Sequence, residues 1–471
     1  MLTYLSMTNI VISKVRVHLK HTFDRLHNEE LKRTVLQAIP FWIASIITGL
    51  IAVIYTKLFF LAESVTTLIF RQHAWLLFGI SPVCFIVAWW LVKRFSPYSR
   101  GSGIPQVMAA IEITNVKTEQ KVNKLLSIRI IVMKVVSSLI MAIGGGAIGR
   151  EGPTIQIAAS VFRKVNQILP SWWPKVAKRN MIITGAAAGL AAAFNTPLGG
   201  IVFAIEELTK THFSYFKTAI FSSVIIAGLT AQGILGPYLY LGYPKIDNLS
   251  TLIFLGVILV AIISGLSGSV VSRLILSVLK WKSGFKFNYQ HLLYVTCCAL
   301  ILASMAFFVN GDALGSGKDL MQRVLFSPDK YSLWYTPLLR IAGTMVSFTT
   351  GAAGGIFAPA LGAGASIGSA ISGWFHLSDN NTNLLILAGM VGFLTGVTRS
   401  PFTSAILVLE MTDRHNVIFH LILAGMIASM VSMLIDKHSL YDHLKIQYIR
   451  DLNEEEKIDI NRANENTNST N

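Results

Sequence analysis

Residues 149–153 read Gly-Arg-Glu-Gly-Pro and interrupt a long apolar part of the chain. The preceding run, residues 130–148, contains a single charge, Lys134, and residues 154–161 contain none. An ionised residue at membrane depth is costly, so Glu151 is a candidate functional residue. The flanking glycines and proline predict a broken helix, and irregular backbone survives at that depth only where it is buried in protein or lines a watery cavity. The stretch therefore predicts an acid on a transport path.

The composition predicts an all-α integral membrane protein in a lipid bilayer. Of the 471 residues, 53% are hydrophobic and 14% are charged, whereas soluble domains carry about 25% charged residues. Several nearly uncharged runs are long enough to cross the roughly 30 Å hydrocarbon core as helices.

The net charge of +16 does not indicate a nucleic-acid partner, because the cations lie in loops between apolar runs. Residues 1–33 contain six Lys/Arg and three acids, and residues 93–129 contain seven and two. Such an excess marks cytoplasmic segments, so both are predicted to face the cytoplasm.

The chain repeats itself at three places. The matches pair 101–103 with 315–317, 149–153 with 355–359, and 185–206 with 389–410, at offsets of 214, 206 and 204 residues. Two halves with Gly/Pro-interrupted segments at corresponding positions are typical of transporters whose site lies between the halves. The residues alone leave open whether the halves are inverted.

The repeat divides the chain into five predicted segments. They are a cytoplasmic N-terminal segment (1–33) that could form one amphipathic surface helix, a first membrane repeat (34–236), a linker (237–249), a second membrane repeat (250–445) and a cytoplasmic tail (446–471). The tail contains an acidic run followed by Asn, Thr and Ser, a composition that predicts disorder.

The repeated motifs all resemble helix starts. Ser102 precedes Ile104-Pro105 as an N-cap would, and 149–153 and 354–359 combine glycines with a proline that opens a helix. Free amides at a helix start form an anion site without a formal cation. Such a site binds weakly enough for release, so three starts that converge would suit a small anion in transit.

Plainer explanations exist for the candidate ligands. Ser102 alone is better explained as a helix cap, and Ile356 and Phe357 as core packing. Tyr441 fits an aromatic residue at the membrane interface.

The charged candidates also have structural alternatives. Glu151 has the alternative of complementing a helix N-terminus or pairing with Arg150. One of Glu206 and Glu207 is expected to face lipid headgroups. Lys134 either snorkels to the surface or pairs with an acid.

No enzyme, metal or cofactor is indicated. The three cysteines lie in apolar runs, the histidines lack ligand spacing, and no nucleophile–base pair is evident. The glycines near Gly311 fail the spacing of a phosphate-binding loop, and those at 362–368 fail that of a dinucleotide loop. Small residues at such intervals more often let membrane helices pack closely.

In combination, residues 101–105, 149–153 and 355–359 and a tyrosine near the end resemble the signature segments of the CLC family of chloride channels and chloride/proton antiporters. The resemblance extends through 185–207 and 408–412, covers about 34–445, and is strongest to the short prokaryotic members. It implies two inverted halves of tilted, discontinuous helices, and a homodimer in which each subunit has its own anion pathway.

The resemblance also implies roles for single residues. Chloride would be held by the hydroxyls of Ser102 and Tyr441 and the amides of Ile356 and Phe357. The backbone around Arg150 and Gly152 would form an outer anion site. Glu151 would be the gating glutamate and Glu207 the internal proton-transfer glutamate.

The predicted function is exchange of chloride for protons, without a cofactor, in a bacterial inner membrane with both termini cytoplasmic. The alternative is a passive chloride channel of the same fold. Glu207 favours the antiporter, because channel members typically carry a non-acid there.

Overall fold

A computed structural model of the chain describes residues 29–115, 118–170, 173–209, 217–236, 239–247 and 249–468. Within these ranges the regular structure is helical, with two isolated backbone bridges and no strand. The helices are α1 (Glu29–His73), α2 (Leu77–Phe95), α3 (Ile104–Ile113), α4 (Glu119–Leu125), α5 (Ile128–Ile143), α6 (Glu151–Ile168), α7 (Lys178–Phe194), α8 (Pro197–Phe203), α9 (Lys217–Leu235), α10 (Ile253–Ser283), α11 (Asn288–Phe308), α12 (Lys318–Phe326), α13 (Thr336–Phe348), α14 (Phe357–Trp374), α15 (Asp379–Thr398), α16 (Pro401–Thr412), α17 (Ile418–Met433) and α18 (Leu440–Asn468).

The described chain contains seven helical stretches that are long and apolar enough to cross a bilayer. They are Thr34–Phe95, Glu119–Ile143, Lys217–Leu235, Ile253–Ser283, Asn288–Phe308, Asp379–Thr398 and His415–Met433. Helices close their own backbone hydrogen bonds and can therefore lie in lipid. The prediction of a multi-pass, all-α membrane protein is confirmed.

The sequence repeat recurs in the helices. Helix α6 begins at Glu151 and α14 begins at Phe357, 206 residues later, and both contain 18 residues. Their first residues lie together, since Gly149 and Gly355 form an antiparallel bridge. Two equivalent helices thus start at one point in the middle of the protein.

A second pair of equivalent elements is a tight turn between helices. The C-caps of helices α7 and α15 are Asn195 and Arg399, and both have the left-handed conformation, with φ of 59° and 63°. The next helices, α8 and α16, open on Pro197 and Pro401 in the first turn. Proline suits that position because its nitrogen has no hydrogen to leave unpaired.

The glycine-rich segment 362–368 is a packing surface, as the sequence indicates. A Cβ atom on Gly364 would collide with the backbone of Gly389, and one on Gly368 would collide with the backbone of Leu385. Helices α14 and α15 therefore approach through their backbones, which larger residues would prevent.

The prediction of a disordered tail is wrong for residues 446–468, because α18 continues to Asn468. Leu452 is buried against the core. The acids of the tail pair with cations elsewhere in the chain: Asp451 with Arg100 at 2.6 Å, Glu455 with Lys124 at 2.8 Å and Glu456 with Lys121 at 2.7 Å. These partners lie more than 300 residues away in the sequence, so composition alone could not reveal them.

The predicted surface helix in 1–33 falls largely on residues 1–28, which lie outside the described residues. The described part of the predicted linker, 239–247 and 249, is not helical. The boundaries assigned to the termini, the two halves and the linker stay predictions.

Candidate functional site

The first helix turns of α3, α6 and α14 meet near the centre of the molecule. The Gly101 amide donates to Ala352 at 2.8 Å, and the Gly354 amide donates to Gly101 at 3.1 Å. The bridge between Gly149 and Gly355 has two bonds, of 2.8 and 2.6 Å. These bonds join the three motifs predicted from the sequence into one site.

Glycine is required where the loops touch. Gly103 has a φ of +105°, a conformation that favours glycine. A Cβ atom on Gly152 would collide with the Ser102 hydroxyl. The start of α6 therefore lies directly against Ser102.

Two buried hydroxyls face each other at this point. Ser102 is 2% exposed and Tyr441 is fully buried. The side chains approach one another, yet neither hydroxyl makes a hydrogen bond of regular geometry with the described part of the chain. Buried polar groups are normally paired, so two such hydroxyls together indicate a place for a polar ligand.

The plainer explanations for both residues are wrong. The N-cap of α3 is Gly103, and no side chain caps this helix, so Ser102 is not a cap. Tyr441 is not at a membrane interface, because its ring stacks on Phe357 at 6.2 Å between centroids. The stacking fixes the direction of the phenol.

Ile356 is the N-cap of α14 and Phe357 its first residue. Their side chains are core, as the alternative explanation holds: the Phe357 ring packs against Phe194 and Phe203, with centroids 6.3 and 6.4 Å away. Their amides nevertheless lie at a helix start, where amides lack an intrahelical acceptor. The two explanations are compatible, since side chain and amide have different roles.

Glu151 is the first residue of α6 and is 1% exposed. Its carboxylate accepts a hydrogen bond from the Tyr240 hydroxyl, at 3.3 Å, and lies near the Ala358 amide in the first turn of α14. The carboxylate therefore lies against two helix starts, where an anion is favoured.

Arg150 and Glu151 form a long ion pair. The Arg150 Nε lies 4.0 Å from the Glu151 Oε1. The Arg150 guanidinium bonds to Thr56 and lies over the Phe60 ring, 4.8 Å from the centroid. The guanidinium is thus held by α1, and its ion pair with Glu151 is long.

Glu207 lies in a single π-helical turn, Ala204–Thr209, that follows α8. The side chain is 4% exposed, and its Oε2 accepts a 2.6 Å hydrogen bond from the Ser400 hydroxyl. Ser400 precedes α16 in the second repeat. The acid is therefore buried between the two halves of the protein.

Glu206 and Glu410 occupy equivalent positions in the two repeats, and each caps a helix of the other repeat. Glu206 accepts from the Thr403 amide in α16 at 2.7 Å. Glu410 accepts from the amides of Leu198 and Gly199 in α8 at 3.0 and 2.6 Å. These caps tie the halves together, and the expectation that one acid of the pair 206–207 faces headgroups stays a prediction.

Glu410→Ala is expected to lower the free energy of unfolding by about 1–3 kcal/mol, the usual cost of losing a charged helix cap. The thermal unfolding midpoint of the protein in detergent measures it. Glu454→Ala, which removes an exposed acid of α18, should leave that midpoint in place. Equal midpoints for both variants would contradict the capping role.

Lys134 is fully buried and neither snorkels nor contacts an acid in the described part of the chain. Its Nζ donates to the carbonyls of Ser99 and Gly101 at 3.0 and 2.8 Å. Arg340, 206 residues later, likewise donates to carbonyls of residues 312–315. Each cation holds the glycine loop of its own repeat, and the repeat offset could have revealed Arg340.

Sequence reasoning missed two further residues near Glu151. Tyr240, the donor to Glu151, lies in the predicted linker. The Lys318 ammonium lies over the rings of Phe60 and Tyr240, 4.4 and 4.8 Å from their centroids. Lys318 follows the second Gly-Ser-Gly loop, which was the only available signal. The described residues contain no group of three or more metal-ligating side chains.

Known proteins resemble this chain in sequence and in fold. Residues 83–433 match the family described as "Voltage gated chloride channel".

The chain belongs to the CLC family.

Among curated proteins, it is 28% identical over 442 residues to the "H(+)/Cl(-) exchange transporter ClcA" of Citrobacter koseri, covering 89% of this chain and 91% of that protein. It is 30% identical over 385 residues to the protein of the same name in Cronobacter sakazakii, covering 78% and 79%.

Two solved structures share the fold. A slow cyanobacterial Cl⁻/H⁺ antiporter has a TM-score of 0.77 and 23% identity, covering 89% of this chain and 99% of that one. A CLC-type fluoride/proton antiporter has a TM-score of 0.73 and 20% identity, covering 88% and 98%. The predicted fold class is confirmed, and membership of the family makes this CLC protein a membrane transport protein rather than an enzyme.

Proposed function

We propose that this CLC protein is a secondary active transporter that exchanges chloride for protons, with Glu151 as its gate. The observation that carries the proposal is the position of the Glu151 carboxylate, buried against the starts of α6 and α14. The curated relatives named above are H(+)/Cl(-) exchange transporters, which supports the same chemistry.

Chloride would bind beside the two hydroxyls of Ser102 and Tyr441 and the amides of Ile356 and Phe357. These groups are neutral donors at helix starts. Partial charges of the helix dipole attract an anion without holding it as a buried ammonium would. Lys134 adds a formal charge behind the Gly101 loop, where backbone carbonyls engage it.

The Glu151 carboxylate would compete with chloride for the outer position near Arg150 and Gly152. When ionised, it accepts the bonds that a chloride ion would accept. When protonated, it gains a donor and loses its negative charge, so the helix starts no longer favour it. Proton binding and anion binding are thereby linked, and linkage of this kind is reciprocal.

Glu207 would pass the proton between Glu151 and the solution on the other side. It is buried at the junction of the halves and accepts a hydrogen bond from the Ser400 hydroxyl. Tyr441 lies within electrostatic range of both carboxylates, so chloride bound at that phenol would interact with both proton sites. A titratable group at this position favours the antiporter over a passive channel.

The protein is further proposed to form a homodimer in a bacterial inner membrane, with a separate pathway in each subunit. Residues 1–33 and 446–471 would lie in the cytoplasm. The excess of Lys and Arg in 93–129, which contacts α18 through ion pairs, supports this orientation.

Reconstitution of the purified protein in vesicles tests the proposal. An imposed chloride gradient should drive protons against their own gradient, measured by electrodes for both ions. Chloride movement without proton movement would establish the passive channel instead. If the protein moved fluoride and not chloride, its substrate would be fluoride, as in the CLC-type fluoride/proton antiporter named above.

A further inference from the structure

A basic cavity of about 570 Å³ lies apart from the anion site. It is formed where the end of α2 meets the start of α5, beside α6 and α18. Four cations line it: Lys124, Arg129, Arg163 and Lys164. The single acid in its lining is Glu455.

The charge in this cavity is only partly compensated. Lys124 pairs with Glu455 at 2.8 Å, and Arg163 pairs with Glu119 at 2.5 Å. Arg129 and Lys164 are exposed and form no ion pair within the described ranges. Two unpaired cations in a concave site indicate an anionic ligand.

The wall of the cavity contains a polar group that suits a phosphate. Tyr98 is 7% exposed, and its hydroxyl makes no hydrogen bond of regular geometry with the described residues. It lies near the Glu455 carboxylate. A phosphate oxygen in the cavity would accept from this hydroxyl, because a phenol is a donor as well as an acceptor.

The rim of the cavity is apolar and lies at two candidate membrane spans. Phe95 ends α2 and Ile128 begins α5, and both helices belong to the candidate membrane spans. Phe95, Ile128 and Val132 are 46%, 56% and 51% exposed. A second cavity, which shares Phe95 and Arg129 with the first, extends along this apolar rim to Val132.

We propose that this cavity binds the headgroup of an anionic phospholipid from the adjacent leaflet. A basic floor beside an exposed apolar rim fits a ligand that is a phosphate at one end and an acyl chain at the other. Basic pockets between membrane helices on the cytoplasmic side bind such headgroups in general. A soluble phosphate would bind the cations of the cavity but would leave its apolar rim exposed to solvent.

Glu455 is the internal competitor of this lipid. Its carboxylate forms an ion pair with Lys124, and a bound phosphate would form that ion pair in its place. Glu455 lies on α18, the helix that begins at Leu440 and carries Tyr441 into the anion site. Lipid binding that displaces Glu455 therefore weakens one attachment of the helix that positions Tyr441.

Lipid titration of the full purified chain, followed by native mass spectrometry, tests the site. Phosphatidylglycerol is the probe and phosphatidylcholine the neutral comparison. The double variant Arg129→Gln/Lys164→Gln should bind phosphatidylglycerol about thirtyfold more weakly, since each cation near a membrane surface contributes a factor of about five. Arg273→Gln/Lys280→Gln, which removes two exposed cations of α10, is the matched control.

A second variant tests the competitor. Glu455→Gln should bind phosphatidylglycerol several-fold more tightly, whereas Glu454→Gln, outside the cavity lining, should bind it as the wild type does. Unchanged affinity in both Arg129→Gln/Lys164→Gln and Glu455→Gln would overturn the proposal, and so would equal binding of phosphatidylcholine. Displacement of the lipid by inorganic phosphate at equal concentration would assign the cavity to a soluble phosphate and also overturn it.

Discussion

Glu207→Gln is expected to abolish chloride-driven proton movement while chloride still crosses the membrane. Glutamine has the same shape as glutamate, and its carbonyl oxygen can still accept the hydrogen bond that Ser400 donates at 2.6 Å. It has no titratable proton, however, so protons lose their step between the solution and Glu151. Proton flux should fall to the level of empty vesicles in the reconstituted assay, with both ions recorded together.

The adjacent acid provides the matched control. Glu206 caps α16 through the Thr403 amide and has no proposed part in proton transfer. Glu206→Gln keeps one acceptor for the cap, so its proton-to-chloride ratio should equal that of the wild type. Wild-type coupling in Glu207→Gln would show that Glu207 is not the proton-transfer residue. Loss of coupling in Glu206→Gln alone would contradict the assignment in the same way.

Glu151→Ala is expected to leave chloride flux in place and make it independent of pH. The variant removes the carboxylate that lies against the starts of α6 and α14 and competes with chloride there. In the wild type, acidification should raise chloride flux, because protonation discharges the competing carboxylate. Without the carboxylate this dependence disappears, and proton coupling is lost as well. Chloride flux measured across a range of pH values checks the prediction.

Glu63, another acid that contacts a Gly-Ser-Gly loop, provides the control for Glu151→Ala. Glu63 accepts from the Ser316 amide at 2.7 Å, at the loop equivalent to that of Ser102. Glu63→Gln keeps an acceptor for this amide and leaves Glu151 in place, so chloride flux should remain pH-dependent. A steep pH dependence that persists in Glu151→Ala would remove Glu151 from the gate.

The positions of the motifs along the chain were sufficient to predict the helix starts that meet at the candidate site. Glycine and proline have backbone preferences that act locally, so 149–153 and 354–359 indicate helix starts without knowledge of the fold. The regular offset between the repeats relates α6 to α14 from the sequence alone. Apolar runs long enough to span a bilayer predicted the membrane class, which the structure confirms.

Contacts between distant residues were predicted poorly. Ser102 has the sequence context of a helix cap, yet Gly103 is the N-cap and the Ser102 hydroxyl faces Tyr441. Glu206 has the sequence context of an acid at a membrane interface, and its cap on a helix nearly 200 residues away was not predicted. In both cases the residue type suited several environments, and the partner that selects one is remote in the chain.

The sequence by itself determined that this is a helical membrane protein with an internal repeat, broken helices and a buried acid at residue 151. These properties depend on hydropathy and on backbone preferences, which each short segment carries with it. Only the tertiary structure decided which helix starts meet, which hydroxyls lack partners, and how the acids of α18 pair with cations near residue 120. Those outcomes depend on distances between segments far apart in the chain, and such distances exist only after the helices have packed.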